Sequence, residues 1–251
     1  MLKIDGLTVG YGGTEVLCDL SLEIEAGMLT SIVGVNGCGK STLMRSVIRL
    51  LPRIAGCVTV DGDDTAKMSR REIAQRIAYL AQGDDTPDMT VGQLVLHGRF
   101  ARRGYGQRYS EGDKEIARAA MRTVGIEKLA DRRLATLSGG LRQSAYIAMV
   151  LAQDTGYVLL DEPTTYLDIA HQTELMRLIK GLAEDGRGIA AVMHDLPMAL
   201  NYSDRIAVLD GGKIRFVGSA DEVYRSEILG EVFGVRMLRD GDGAFYIGRS
   251  K

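Results

Sequence analysis

Gly34-Val-Asn-Gly-Cys-Gly-Lys-Ser-Thr42 is the stretch on which the reading of this chain turns. It fits the pattern G-x-x-x-x-G-K-[ST], with Gly34, Gly39, Lys40 and Ser41 at the specified places. A short apolar run, residues 29–33, precedes it, and a helical pattern over about residues 40–50 follows. Strand, glycine loop and helix together form the setting in which this pattern cradles phosphate. Glycines at 34, 37 and 39 let the backbone wrap closely, so that its N–H groups point at phosphate oxygens. The helix start adds the positive end of its dipole. The expected phosphate-side residues are therefore Asn36, Gly37, Cys38, Gly39, Lys40, Ser41 and Thr42. Lys40 supplies a full charge for the outer phosphates of a nucleotide, and the Ser41 hydroxyl a ligand for Mg2+.

Three more apolar runs share the design of 29–33. Residues 77–81 end at Gln82, residues 157–160 at Asp161-Glu162, and residues 189–193 at His194. They are continuous rather than alternating, as strands buried on both faces are. Leu175, Leu178, Ile179 and Leu182 lie at i, i+3, i+4 and i+7, a helical stripe between two of these runs. Strands alternating with helices predict an α/β core, whose ligand sits beyond the carboxyl ends of its strands. Asp161 is placed to hold Mg2+ directly or through water. Glu162 is placed to act as the base for an attacking water. Gln82, counted with Ser41 and Asp161 on the metal side, and His194 complete the set. Acidic residues often begin loops, and a lone histidine at a strand end is more often structural. Four strand ends with phosphate-competent residues favour the catalytic reading.

Residues 2–9 alternate as a strand does, Gly10, Gly12 and Gly13 interrupt, and 16–24 resume. This predicts an N-terminal antiparallel β region turned near Tyr11. Residues 88–153 are mostly helical in pattern, over 89–97, 113–124 and 142–153, and read as a subdomain inserted into the core. Ser138 is a good N-cap for the last of these helices, and Gly139 and Gly140 expose further N–H groups, making a second anion-binding helix start. A well-capped helix is the plainer reading of that segment alone. Residues 1–236 form one domain on this reading, and 237–251 a short hairpin tail turned at Asp240-Gly-Asp-Gly243.

Composition narrows the partners. The net charge of −2 over 251 residues gives no global field for nucleic acid or anionic lipid. Arg99, Arg102, Arg103 and Arg108 could make a local basic patch or a solvated face. Three cysteines, Cys18, Cys38 and Cys57, show no metal-ligand spacing and suit a reducing compartment. Cys38, inside the loop, is a potential alkylation site. No apolar run approaches the ~20 residues of a membrane span, and the start is too polar for a signal peptide. The expectation is a cytosolic chain that meets membranes only through a partner.

Taken together, these residues resemble the nucleotide-binding subunits of ABC transporters, over about residues 2–235. Residues 34–42 are similar to their Walker A motif, 157–162 to Walker B with its glutamate, and 137–140 to the ABC signature. Gln82 matches the Q-loop, 163–168 the D-loop, His194 the switch histidine, and Tyr11 the aromatic that stacks on adenine. A buried sheet aromatic is the alternative for Tyr11. The resemblance implies an α/β fold with a RecA-like P-loop ATPase core, the N-terminal β region and the helical insert. It also implies Mg2+-dependent ATP hydrolysis by a homodimer, with ATP sandwiched between one copy's Walker A and Ser138, Gly139 and Gly140 of the other. A finer resemblance, to importers of iron–siderophore, haem or cobalamin type, is carried by Asp161-Glu-Pro-Thr-Thr-Tyr-Leu-Asp-Ile169, Met193-His-Asp-Leu196, Tyr202-Ser-Asp204 and Glu231-Val-Phe-Gly-Val235. It implies a transmembrane permease dimer, an indirect substrate-binding protein, and a peripheral place on the cytoplasmic face of the plasma membrane. Leu141 replaces the usual signature glutamine, Val35 a usual proline, and Ala101-Arg-Arg103 departs from the importer pattern. Two other readings stand beside this one. A soluble ABC ATPase acting on DNA or ribosomes would usually bring a second cassette, coiled coils or zinc inserts. A non-catalytic regulatory subunit is supported by Leu141 alone.

Overall fold

The computed structural model describes residues 1–83, 86–104, 106–165 and 167–248. Tyr166 of the D-loop stretch and residues 249–251 of the expected tail lie outside them. The chain opens with a hairpin of β1 (Leu2–Tyr11) and β2 (Thr14–Ile24). Its turn, Gly12-Gly13, has φ of 57° and 86°, the sign a two-residue turn needs to follow strand twist. Next come β3 (Leu29–Val33), α1 (Lys40–Val47), β4 (Ala55–Val60), β5 (Asp63–Asp64), α2 (Arg70–Arg76) and β6 (Ile77–Leu80). The helices α3 (Val91–His97), α4 (Glu111–Thr123) and α5 (Gly139–Ala152) follow. The chain then runs through β7 (Tyr157–Asp161), α6 (Ile169–Glu184), β8 (Gly188–Val192), α7 (Leu196–Tyr202), β9 (Arg205–Asp210) and β10 (Lys213–Gly218). It closes with α8 (Ala220–Arg225), α9 (Ile228–Phe233) and the hairpin of β11 (Arg236–Arg239) and β12 (Phe245–Gly248).

Two sheets organise these elements. The first is antiparallel, in the order β2-β1-β4-β5; the second runs β10-β9-β3-β8-β7-β6. In the second, β9, β3, β8, β7 and β6 are parallel and β10 pairs antiparallel at the edge. Every residue of β3, β7 and β8 is buried, which is why their sequences lack alternation. Both sheet faces are covered. Ile32, Leu159, Ala190 and Val192 pack with α1 and the antiparallel sheet. Val33, Leu160, Ala191 and Ile189 pack with α6 and α7. The helices α3, α4 and α5 share a third core around Val91, Val95, Met121 and Ala148.

Some boundaries differ from the sequence expectation. α1 ends at Val47, three residues early, and α5 begins at Gly139 rather than Arg142. The second difference follows from the cap: the Ser138 side chain accepts from the Leu141 N–H, so both signature glycines are helical. The pairs β4–β5 and β9–β10 were not anticipated, although Asp61-Gly62 and Asp210-Gly211-Gly212 are turn signals at their tips. The hairpin tail forms with Met237 opposite Ile247.

The arginine group divides. Arg99 is buried: its Nε donates to Asp113 Oδ1 at 3.0 Å and its Nη1 to the Ala152 carbonyl at 2.9 Å. It thus ties the start of α4 to the end of α5, and it is not part of a solvated face. Arg103 lies over the rings of Phe100 and Tyr109, and Arg108 is exposed. Arg99→Ala would leave the Asp113 carboxylate and the α5 carbonyl end without their cation. A loss of about 3–5 kcal/mol is expected, measured as a lower urea midpoint at unchanged slope.

Candidate active site

The strands β3, β8, β7 and β6 are neighbours and parallel. Their carboxyl ends therefore share one sheet edge, and the polar residues that follow them in sequence meet there. The glycine loop leaves β3 in a conformation that tolerates few side chains. A Cβ on Gly34 would lie 2.3 Å from the Leu209 carbonyl oxygen. Gly39, at φ 109°, would meet a Leu17 methyl at 2.6 Å. Gly39 is also the N-cap of α1, and no side chain caps that helix, which leaves its first N–H groups facing the cleft. Lys40 is 6% exposed. Its Nζ donates to the carbonyls of Gly34 at 2.7 Å and Val35 at 3.0 Å, a satisfied position at the mouth of the loop.

Asp161, at the end of β7, is 1% exposed. Its Oδ1 accepts from Ser41 Oγ at 3.1 Å and its Oδ2 from the Tyr79 hydroxyl at 3.2 Å. Burial pushes its carboxyl up, and these two hydrogen bonds oppose the rise. Burial, and then the Asp161 charge, push the Tyr79 phenol up to about 12. Glu162 has φ 55°, a left-handed conformation uncommon for a side chain of its kind. The turn brings its carboxylate to two other strand ends. Its Oε2 accepts from Gln82 Nε2 at 2.7 Å and from Thr165 Oγ1 at 3.3 Å. Its Oε1 is 2.5 Å from His194 Nε2.

The donor set suits a hard cation. The Ser41 hydroxyl and a buried carboxylate oxygen lie side by side, and burial has raised that carboxylate so that a positive charge would restore it. Among the described residues no group of three His, Cys, Asp or Glu forms an all-protein cage. Mg2+ needs none, since it takes one or two protein oxygens together with phosphates and water.

Asn36, Gly37, Gly39, Lys40, Ser41, Thr42, Gln82, Glu162 and His194 line one cleft of about 580 Å3. Asp161 reaches it through Ser41. Cys38 differs from expectation: its side chain is buried against Gly34, burial pushes its thiol up, and its N–H donates to the Val35 carbonyl at 3.3 Å. Its thiol is not placed for alkylation. Tyr11 is 48% exposed at the hairpin tip, so it is not a buried sheet aromatic, and it does not line the cleft. Val16 of β2 does, which no sequence signal suggested. Ser138, Gly139 and Gly140 also lie outside the cleft lining. Gly140 instead borders a recess shared with Leu167 and His171. Tyr79 and Thr165 were missed; a hydroxyl in the otherwise apolar run 77–81 was the available sign of the first. A larger groove of about 800 Å3 beside α8, α9 and β11 contains none of these residues.

Residues 17–165 match the family model described as ABC transporter. The ferric enterobactin transport ATP-binding protein FepC of Escherichia coli K12 is 44% identical over 94% of this chain and 88% of its own length. The petrobactin import ATP-binding protein FpuD of Bacillus anthracis is 42% identical over 97% of this chain and 90% of its own. A dimeric post-hydrolysis structure of the ATP-binding cassette MJ0796 with ADP and Pi superimposes with a TM-score of 0.77 at 27% identity. That likeness covers 88% of this chain and 99% of the cassette. The chain therefore belongs to the ABC transporter family as an ATP-binding and ATP-hydrolysing cassette.

Proposed function

We propose that this chain powers a membrane importer of the iron–siderophore, haem or cobalamin type, with iron–siderophore favoured by the relatives above. It works as a homodimer at the cytoplasmic face of the plasma membrane, docked on a permease dimer that a substrate-binding protein loads. Among the described residues no helix is long and apolar enough to cross a membrane. The observation that carries the reading is Glu162, held between Gln82 and His194 at the mouth of the cleft that contains Lys40.

ATP phosphates rest on the backbone of residues 36–42, and Lys40 exchanges the Gly34 and Val35 carbonyls for phosphate oxygens. Mg2+, held by Ser41 and Asp161 with Gln82 alongside, would neutralise charge on the β- and γ-phosphates. Glu162 takes the proton of the attacking water, and His194 and Gln82 orient its two oxygens. Ser138, Gly139 and Gly140 lie outside this cleft and serve the γ-phosphate bound by the second copy. ATP then closes the dimer and hydrolysis releases it, a γ-phosphate holding one of two states.

Closure is read by light scattering. With Glu162→Gln, which slows hydrolysis, ATP should double the mass. Adding Ser138→Arg should leave the chain monomeric while it still binds ATP. A doubled mass in that double variant would remove Ser138 from the shared site.

A further inference from the structure

We infer that the Tyr79 hydroxyl is a positioning group for the metal side of the site: it locks one oxygen of Asp161 so that the other is presented towards Ser41. The inference rests on the MgATP reading above and assigns a role to a residue which that reading does not use.

The geometry follows from the sheet. Tyr79 on β6 pairs with Leu159 on β7, and Asp161 lies two residues beyond Leu159. Residues two apart on a strand share a face, so the diagonal neighbours Tyr79 and Asp161 point to the same side. That side is covered by α1, which contributes Ser41 and, one turn later, Arg45. A carboxylate can only accept. The phenol therefore directs its proton to Asp161 Oδ2, at 3.2 Å.

The two bonds on Asp161 differ in what they can do. Ser41 donates to Oδ1, and it is itself a proposed ligand. When Ser41 gives a lone pair to a cation its O–H can still donate to Oδ1, but its position is then shared with that cation. Tyr79 packs against the core formed with α1 and the antiparallel sheet, so its hydroxyl holds Oδ2 independently of the cation and opposes rotation of the carboxylate. Outer partners of this kind typically change metal affinity by about 10–100-fold.

Tyr79→Phe keeps the ring and removes only the hydroxyl. The test follows binding of a fluorescent ATP analogue to the full chain, in EDTA and across a Mg2+ titration, with thermal melting alongside. The expected result is a rise of about 10-fold or more in half-saturating Mg2+, with analogue affinity in EDTA unchanged. Half-saturating Mg2+ equal to that of the parent would overturn the role of Tyr79 and leave the nucleotide site standing. An equal loss with and without Mg2+, with a lowered melting point, would assign Tyr79 to folding alone and overturn it too. A parent chain whose binding ignores Mg2+ would remove the MgATP reading, and this inference with it.

Discussion

Glu162→Gln is expected to lower ATP turnover by about 10²–10⁴-fold, the range for loss of a positioned general base, while ATP binding persists. The substitution changes little except basicity. Gln has the shape of Glu, so the left-handed turn at residue 162 and its approach to Gln82 and His194 can be kept. One amide oxygen can still accept from Gln82 or Thr165. No oxygen remains that can take a proton from water. Phosphate release under saturating MgATP gives the turnover, and equilibrium binding of an ATP analogue gives the affinity. Full turnover in the variant would assign the base elsewhere. In cells carrying only this variant, accumulation of radiolabelled iron–siderophore should stop. Uptake lost for another chelate instead, with siderophore uptake intact, would reassign the transported class.

Lys40→Met is expected to weaken ATP binding by roughly 10–100-fold, the worth of hydrogen bonds to a charged partner, and hydrolysis by about 10²–10³-fold. Methionine retains most of the apolar stem, so the buried position at the start of α1 stays filled. What disappears is the ammonium now resting on the Gly34 and Val35 carbonyls. In the free protein those carbonyls keep the charge satisfied without a ligand. In the complex the same charge faces phosphates that gain negative charge as the bond to the γ-phosphate breaks, so the loss is larger for turnover than for binding. Titration of the fluorescent analogue gives the first quantity and phosphate release the second. A variant with parental affinity would show that the loop backbone alone holds the phosphates.

These two residues were legible because their signals are local. Lys40 sits in a pattern of nine consecutive residues, Gly34 to Thr42, whose glycines are required by the loop itself, as the contact at Gly34 illustrates. Glu162, Gln82 and His194 were reached by one rule, that polar residues ending buried parallel strands face the ligand. Other features depended on partners far along the chain. Cys38 looked accessible within a glycine loop, yet it points into the core because Gly34 leaves room for its sulfur. Arg99 looked like one of several surface arginines until Asp113 and the Ala152 carbonyl, 14 and 53 residues away, enclosed it. Tyr79 was only one member of the apolar run 77–81, because its partner Asp161 is 82 residues distant.

By itself, then, the sequence determined the phosphate loop, the buried strands and the identity of the residues at their ends. Those follow from steric limits and hydrophobic periodicity within short windows. Only the tertiary structure decided the strand order β3-β8-β7-β6, and with it which side chains touch. It joined Glu162 to Gln82 and His194, placed Tyr79 behind Asp161, and kept Ser138 to Gly140 out of the cleft. Strand order and side-chain partners are set by contacts between segments distant in sequence, and a local pattern of residues carries no record of them.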